Sequence, residues 1–402
     1  KENKMTKIVD IEDIRKKREK KEIGIPIENI NKKELKRRGH EIGDILGCDE
    51  KGEEICVRKG KGNLYVDGNM EKEQLFDFMR SQIYQNIQRG DSMVIVDLGS
   101  RIYKRELWIY LTIHGYRVDS YNMDCMTESD CFNCLDGLGA ENEEQIVMIA
   151  NDIIDDQKYK FMTYPVETAC KALLSAVLLA SLTEMEESDR NMLEIATIFR
   201  LGVSGTMLDK ILHVMFEELD ETSSAKQLFA MYSEAEEGIR MEAIQKIGNA
   251  LAVYEKRANG SLCDNFRTNR YDMEMPVKEK SVLFIESGQL PEDKVLFSVF
   301  MERLYDSMLK KAEERQQDVT VMLLDYPYYG GLCGLEKYME EGPEKGICTT
   351  LYEDDRKLDG SGYAPHLVEL YSLCDISVCI KDTEIPLCEI EKCENPVTGE
   401  CS

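Results

Sequence analysis

The sequence predicts an α/β protein: a parallel sheet carried by two stretches of chain, with an all-α domain inserted between them. Three observations predict it. Apolar runs that stop at an acid occur in both halves of the chain, at Ser92–Asp97 (SMVIVD) and at Val319–Asp325 (VTVMLLD). The first is followed by a helical pattern and a second strand, a βαβ unit of about thirty residues. Such a unit implies parallel strands and a right-handed crossover. Between the two α/β stretches, residues 143–257 carry helical periodicity and no strand signal.

The elements follow in order. Residues 1–40 form a charged arm with the basic clusters Arg15-Lys-Lys-Arg18 and Lys36-Arg-Arg38. This reads as a solvated helix or tail, or as a juxtamembrane or nucleic-acid arm. Residues 41–142 open the α/β domain. Gly52, Gly60 and Gly62 punctuate short alternating runs, which suggests a hairpin before the strand Asn63–Val66. A helix is expected over Glu71–Gln88, with Leu75, Phe76, Phe78, Met79, Ile83, Tyr84 and Ile87 inward. After the strand to Asp97, a helix from Tyr103 to His114 has Leu107, Trp108, Tyr110, Leu111 and Ile113 on one broad apolar face. Gly115 ends it, and Arg117–Tyr121 is the next strand.

The inserted domain shows helical segments at 146–154, 166–182, 192–199, 207–217 and 241–254. The α/β pattern resumes over residues 258–380. Strands are expected at Ser281–Ile285, Val319–Asp325, Ile347–Tyr352 and Asp375–Ile380. Helices are expected from Pro291, a favoured first helical residue, to Glu314, and over Tyr363–Leu373. Residues 381–402 read as a polar tail bearing cysteines.

Composition excludes several classes. The net charge is −26, which disfavours DNA as a partner unless a local basic patch gathers Lys and Arg, and repels anionic membrane. The 14 cysteines are scattered through a chain whose size does not call for disulfides, as in a reduced cytosolic protein. The most apolar stretch, Ala172–Leu182, is shorter than the ~20 residues a span needs, and reads as a buried helix. No signal peptide pattern is present. The chain opens on Lys1, so an anchor outside it stays open.

The order of elements from Glu41 to Ile380 resembles the type IV coupling proteins of conjugative DNA transfer and type IV secretion. The residues that carry the likeness are spread along the chain. Glu41–Gly47 and the hairpin match the lead-in to the first strand, and Asn63–Gly68 the strand entering the phosphate loop. Met93–Asp97 sits where the family has a strand ending in Asp-Pro-Lys-Gly-Glu. His114-Gly-Tyr-Arg-Val118 matches a Gly-Tyr-x-Val strand, and Asn133 lies near the position of an Asn-Pro-Leu. Ser281–Ile285, the helix after Pro291 and the strand to Asp325 match the approach to Walker B. Tyr352–Leu358 lies at the Gln-Ser and Gln-Leu stretch. The resemblance implies a RecA-like P-loop NTPase-type domain with an inserted all-α domain.

The departures fall on the chemistry. A P-loop needs Gly-x-x-x-x-Gly-Lys-Ser/Thr, so that backbone amides wrap the phosphates and the lysine reaches them. Asp67–Gln74 (DGNMEKEQ) keeps only Gly68 and Lys72, with Lys72 one position off and Gln74 in place of the hydroxyl that holds Mg²⁺. Asp67, Glu71 and Glu73 would repel a triphosphate. At ~4 Å and an effective dielectric of 20, each costs about 4 kcal/mol. Asp325 keeps the metal-facing acid of Walker B, but Tyr326 replaces the Glu that activates water, and a phenol is a poor base at neutral pH. Asp97 keeps the first acid of its motif while Leu98, Gly99 and Arg101 replace Pro, Lys and Glu. Glu353 replaces the γ-phosphate-sensing Gln.

These substitutions point to a pseudo-ATPase. Its expected roles are assembly or recruitment, with other secretion or conjugation subunits or relaxase-like proteins as partners and homo-oligomers admitted. It would be cytoplasmic, at the inner face of the membrane if an anchor lies outside this chain. No cofactor is expected. Mg-ATP enters only under the alternative, an ATP-driven DNA translocase with altered loops, where Asp325 and Asp97 would be catalytic and Gly68 and Lys72 would cradle phosphate. Asp97 and Asp325 also read either as a metal-binding pair or as solvated strand ends. A third reading is a metal- or redox-linked module on Cys131-Phe-Asn-Cys134, with Cys125 nearby, or on Cys388, Cys393 and Cys401. His40, His114, His213 and His366 show no catalytic spacing. The loop Tyr326–Gly331 reads as loop packing or as an adapted ligand surface.

Overall fold

Runs of Val, Ile and Leu with no polar break need cover on both faces of a sheet, and here they receive it. Every residue of β5 (Ser92–Asp97), β7 (Ser281–Glu286) and β8 (Val319–Leu323) is buried. The computed structural model describes residues 25–26, 45–48, 54–56, 62–68, 72–97, 102–123, 129–155, 162–200, 205–258, 266–267, 270–286, 293–324, 332, 334–354, 370–374, 376–381 and 387–392.

The remaining strands are β1 (Ile25–Pro26), β2 (Ile45–Cys48), β3 (Glu54–Cys56), β4 (Leu64–Gly68), β6 (Arg117–Asn122), β9 (Ile347–Asp354), β10 (Ile376–Lys381) and β11 (Leu387–Lys392). They form a nine-stranded sheet in the order β1-β11-β10-β4-β9-β8-β5-β7-β6, and β2 and β3 make the expected hairpin. Strands β10, β4, β9, β8 and β5 run parallel. The two-strand extension by β11 and β1 is antiparallel. Both lie where the sequence predicts only a tail and an arm, because a six-residue and a two-residue strand among charged residues carry little periodicity.

The chain divides into two compact units, Lys1–Asp119 with Met273–Ile285 and Tyr305–Ser402, and Ser120–Asp272 with Glu286–Leu304. In the first, helices α1 (Lys72–Arg89) and α2 (Ile102–Ile113) cover one face of the sheet. Met79, Ile83 and Ile87 of α1 and Leu107 and Leu111 of α2 share a core with Leu64, Val66, Met93, Ile95, Phe284 and Met322. Each fully buried side chain of this kind contributes roughly 1.5–3 kcal/mol. Gly115 follows α2 with φ +79, the left-handed turn that lets β6 begin at once. The apolar face of α2 is narrower than its sequence suggests. Leu107 and Leu111 are buried and Tyr110 is packed against the core, but Trp108 is 38% and Ile113 76% exposed. A single row at i, i+4 fills the space above the sheet.

The second unit is mostly helical: α3 (Glu143–Asp155), α4 (Tyr164–Glu184), α5 (Met192–Arg200), α6 (Gly205–Glu217), α7 (Ser224–Ser233) and α8 (Glu237–Ala258). It also takes in residues 129–139, residues 270–272 and most of α10 (Asp293–Lys311), which follows the short α9 (Met275–Lys278). Helix α4 is longer than the apolar stretch that announced it. By length and composition it could cross a membrane, yet 72% of its most apolar window is buried within the protein. Thus Leu173, Leu174, Leu178 and Leu182 serve a core. A further helix, α11 (Leu335–Glu341), lies between β8 and β9. The helix expected over Tyr363–Leu373 falls largely outside the described residues.

Candidate functional site at the carboxyl ends of the strands

Parallel sheets gather chemistry where their strands end. The register aligns these ends: Gly68 of β4 lies beside Asp354 of β9, Asp67 beside Glu353, and Leu323 of β8 beside Leu351. On the other side of β8, Leu324 donates its amide to Val96 O at 3.3 Å. Asp97 therefore ends the strand next to the one that leads to Asp325. Asp97 is buried, 3% exposed, at the end of the apolar run that includes Met93 and Ile95. Asp325, Tyr326 and the rest of that loop lie outside the described residues.

The predicted site residues are thus partly assembled. Asp97 and the strand of Asp325 are neighbours. Gly68 stands three strands from Asp97 in the order β4-β9-β8-β5, roughly 14 Å at the usual interstrand spacing. Lys72 is the first residue of α1, four positions after Gly68 closes β4, so strand and helix follow one another at the spacing of a phosphate loop. Their chemistry is different. In a phosphate loop the second Gly and the Lys open the helix, and helix N-terminal amides meet the phosphates. Here Lys72, Glu73 and Gln74 open it. By residue type the strand ends are acidic: Asp67 pairs in register with Glu353, Gly68 with Asp354, and Asp97 closes β5.

The amino ends of the same strands are tied by a polar network. Asn86 Oδ1 accepts from Arg89 Nη2 at 2.7 Å and from Thr320 Oγ1 at 2.9 Å, and Arg89 Nε donates to Asp91 Oδ2 at 2.6 Å. Tyr116 OH donates to Asp91 O at 2.9 Å. Burial, then the Asp91 charge, raise the Tyr116 phenol well above its ordinary range. Asn63 donates to Met339 O at 2.6 Å and Leu373 O at 3.0 Å, and accepts from Thr349 N at 2.9 Å. Sequence reading missed these positioning residues, since an Asn at a strand start or helix end has no distinctive spacing.

In the second unit the acid ending β7, Glu286, is 3% exposed and accepts from Ser120 Oγ at 3.2 Å and Asn122 Nδ2 at 3.4 Å. Its signal, an apolar run closing on an acid, was present in the sequence. Asn133 is structural: it donates to Arg190 O at 2.8 Å and accepts from Leu135 N at 3.1 Å. Cys131 and Cys134 are both buried. Burial pushes the Cys134 thiol up to about 12, so it stays protonated, unlike a thiolate that binds metal or attacks disulfides. Among the described residues no group of three or more His, Cys, Asp or Glu could hold a metal. His114 and His213 bond the carbonyls four residues before them, Tyr110 O and Asp209 O, both at 2.8 Å.

Solved structures share this architecture. The bacterial conjugative coupling protein TrwB, unbound, matches 88% of this chain and 76% of its own with a TM-score of 0.56 at 15% identity. This chain has the fold of a conjugative coupling protein. TrwB in complex with ADP and Mg²⁺ gives a TM-score of 0.56 at 14% identity, over 88% of this chain and 78% of that one. VirB4 of Thermoanaerobacter pseudethanolicus gives 0.50 at 11% identity, over 85% of each chain. No protein-family model and no curated protein sequence matches. The coupling-protein fold accounts for the RecA-like α/β sheet and for the helical segment inserted within it.

Proposed function

We propose that this chain is a coupling-protein-like component of a conjugative transfer or type IV secretion system that works as a pseudo-ATPase. It acts in assembly or in recruitment of substrate proteins, with other secretion subunits or relaxase-like proteins as partners. It does so on the cytoplasmic side of the membrane and without a nucleotide cofactor. One observation carries the reading: α1 opens at Lys72-Glu73-Gln74, where a phosphate loop would place Gly-Lys-Ser/Thr, beside strand ends rich in acids. The scaffold is kept and the groups that would hold a triphosphate are replaced.

Isothermal calorimetry of the full chain with Mg-ATP tests it. No saturable heat is the expected outcome. Hydrolysis of ATP that Asp325→Ala abolishes would sink the proposal and favour the rival, a nucleotide-driven DNA translocase using altered loops.

A further inference from the structure

Helix α6 is apolar on two sides. Leu208, Leu212 and Phe216 turn into the core, and Phe216 stacks on Phe229 at 4.2 Å. Met207, Ile211, Val214 and Met215 face water, at 54, 39, 59 and 54% exposure. Their spacing places them in one stripe along about two turns of helix. Isolated exposed apolar residues are ordinary, but a contiguous stripe on a surface helix marks an interaction surface.

We propose that this stripe is the docking face for a basic amphipathic helix of a partner protein. The proposal rests on the recruitment reading above and names the chemistry of what is recruited. Anchors at i, i+4 and i+7 are those of helix-to-helix recognition, and two of the four are Met, whose unbranched chain adapts to a partner. Charge selects the occupant. The stripe runs into Glu217, Glu218, Asp220 and Glu221, all exposed. The nearby Lys226 already donates to Glu217 O, Leu219 O and Glu221 Oε1, at 3.0, 2.8 and 2.8 Å. Lys210 is the one lysine on α6. An acidic rim disfavours an anionic bilayer, and it disfavours a second copy of a chain with net charge −26. Lys and Arg flanking apolar anchors would satisfy both stripe and rim.

The test titrates the full chain with two labelled amphipathic peptides of about 18 residues, long enough to cover the stripe as helices. They share one leucine pattern, and one carries Lys and the other Glu on the polar face. The Lys peptide is expected to bind saturably, and the Glu peptide not to bind. Ile211→Ser with Val214→Ser should weaken the Lys peptide at least about tenfold, and Glu217→Gln with Glu218→Gln about threefold. Met207→Ser with Met215→Ser is a second stripe variant, and thermal melts matching the parent confirm that either is folded. Undiminished binding by both stripe variants, or equal binding of both peptides, overturns the proposal. So does stripe-dependent sedimentation with phosphatidylglycerol vesicles, or a dimer that the stripe variants dissociate. ATP hydrolysis would defeat the pseudo-ATPase reading without changing any peptide result, so the two failures stay distinguishable.

Discussion

The α/β unit and the helical unit are pinned by different chemistry. In the α/β unit two buried carboxamides, Asn63 and Asn86, each join distant segments: Asn63 links β4 to β9 and α11, and Asn86 links α1 to β8. A carboxamide donates and accepts at once and carries no charge. In the helical unit a carboxylate joins three helices. Asp209 of α6 accepts from Tyr232 OH at 2.7 Å and pairs with Arg240 at 3.2 Å, joining α6, α7 and α8. Arg257 and Asp293 form a second such pair at 2.5 Å, with Asp293 fully buried. The difference teaches where each unit is vulnerable. A charged pin leaves a costlier orphan when its partner is removed.

The largest effect should come from breaking the charged pin. Asp209→Ala strands Arg240 and a buried phenol, and should cost about 3–5 kcal/mol, read as a lower denaturant midpoint for the helical unit. If Asp209→Ala costs no more than a surface substitution, the contrast between the units fails. Next comes the neutral pin. Asn86→Ala leaves the Thr320 hydroxyl and the Arg89 fork without their shared acceptor, and Asn63→Ala does the same to the Thr349 amide. Each should cost about 1–3 kcal/mol, and hydrogen exchange should rise in the β4, β8 and β9 amides rather than in the helices.

Much of this was written in the sequence. The buried strands announce themselves because SMVIVD and VTVML are almost wholly apolar, and the βαβ unit because Gly115 closes α2. Helix α7 passed unremarked, since Ala225, Phe229 and Tyr232 make a weak stripe in a ten-residue helix. The exposure of Trp108 and Ile113 could not be read either, because periodicity says which residues share a face and not how wide a neighbour covers it. At the candidate site, motif spacing assigns residue types to positions. That Asp67, Glu353 and their neighbours come into register depends on strand order, which no local pattern encodes. The buried pins were the least legible, as each joins residues more than two hundred positions apart in the α/β unit.

The smallest effect is one of pH. Burial pushes the Cys134 and Cys170 thiols up to about 12 each, so in the folded helical unit they hold their protons where an unfolded chain releases them. A raised folded-state pKa gives stability that is intact below the unfolded value near 9 and is lost as pH climbs towards 12. Unfolding free energy should therefore fall from about pH 9 upward, by at most about 1.4 kcal/mol per pH unit for each thiol. Tyr232, raised by burial and then by Asp209, adds to the same slope only above its ordinary value of about 10. Chemical denaturation at a series of alkaline pH values reads the slope. Cys134→Ala with Cys170→Ala lowers stability at every pH by opening small cavities, yet should flatten the segment between pH 9 and 10. A slope there that survives the double substitution would mean that other groups set the alkaline limit of the helical unit.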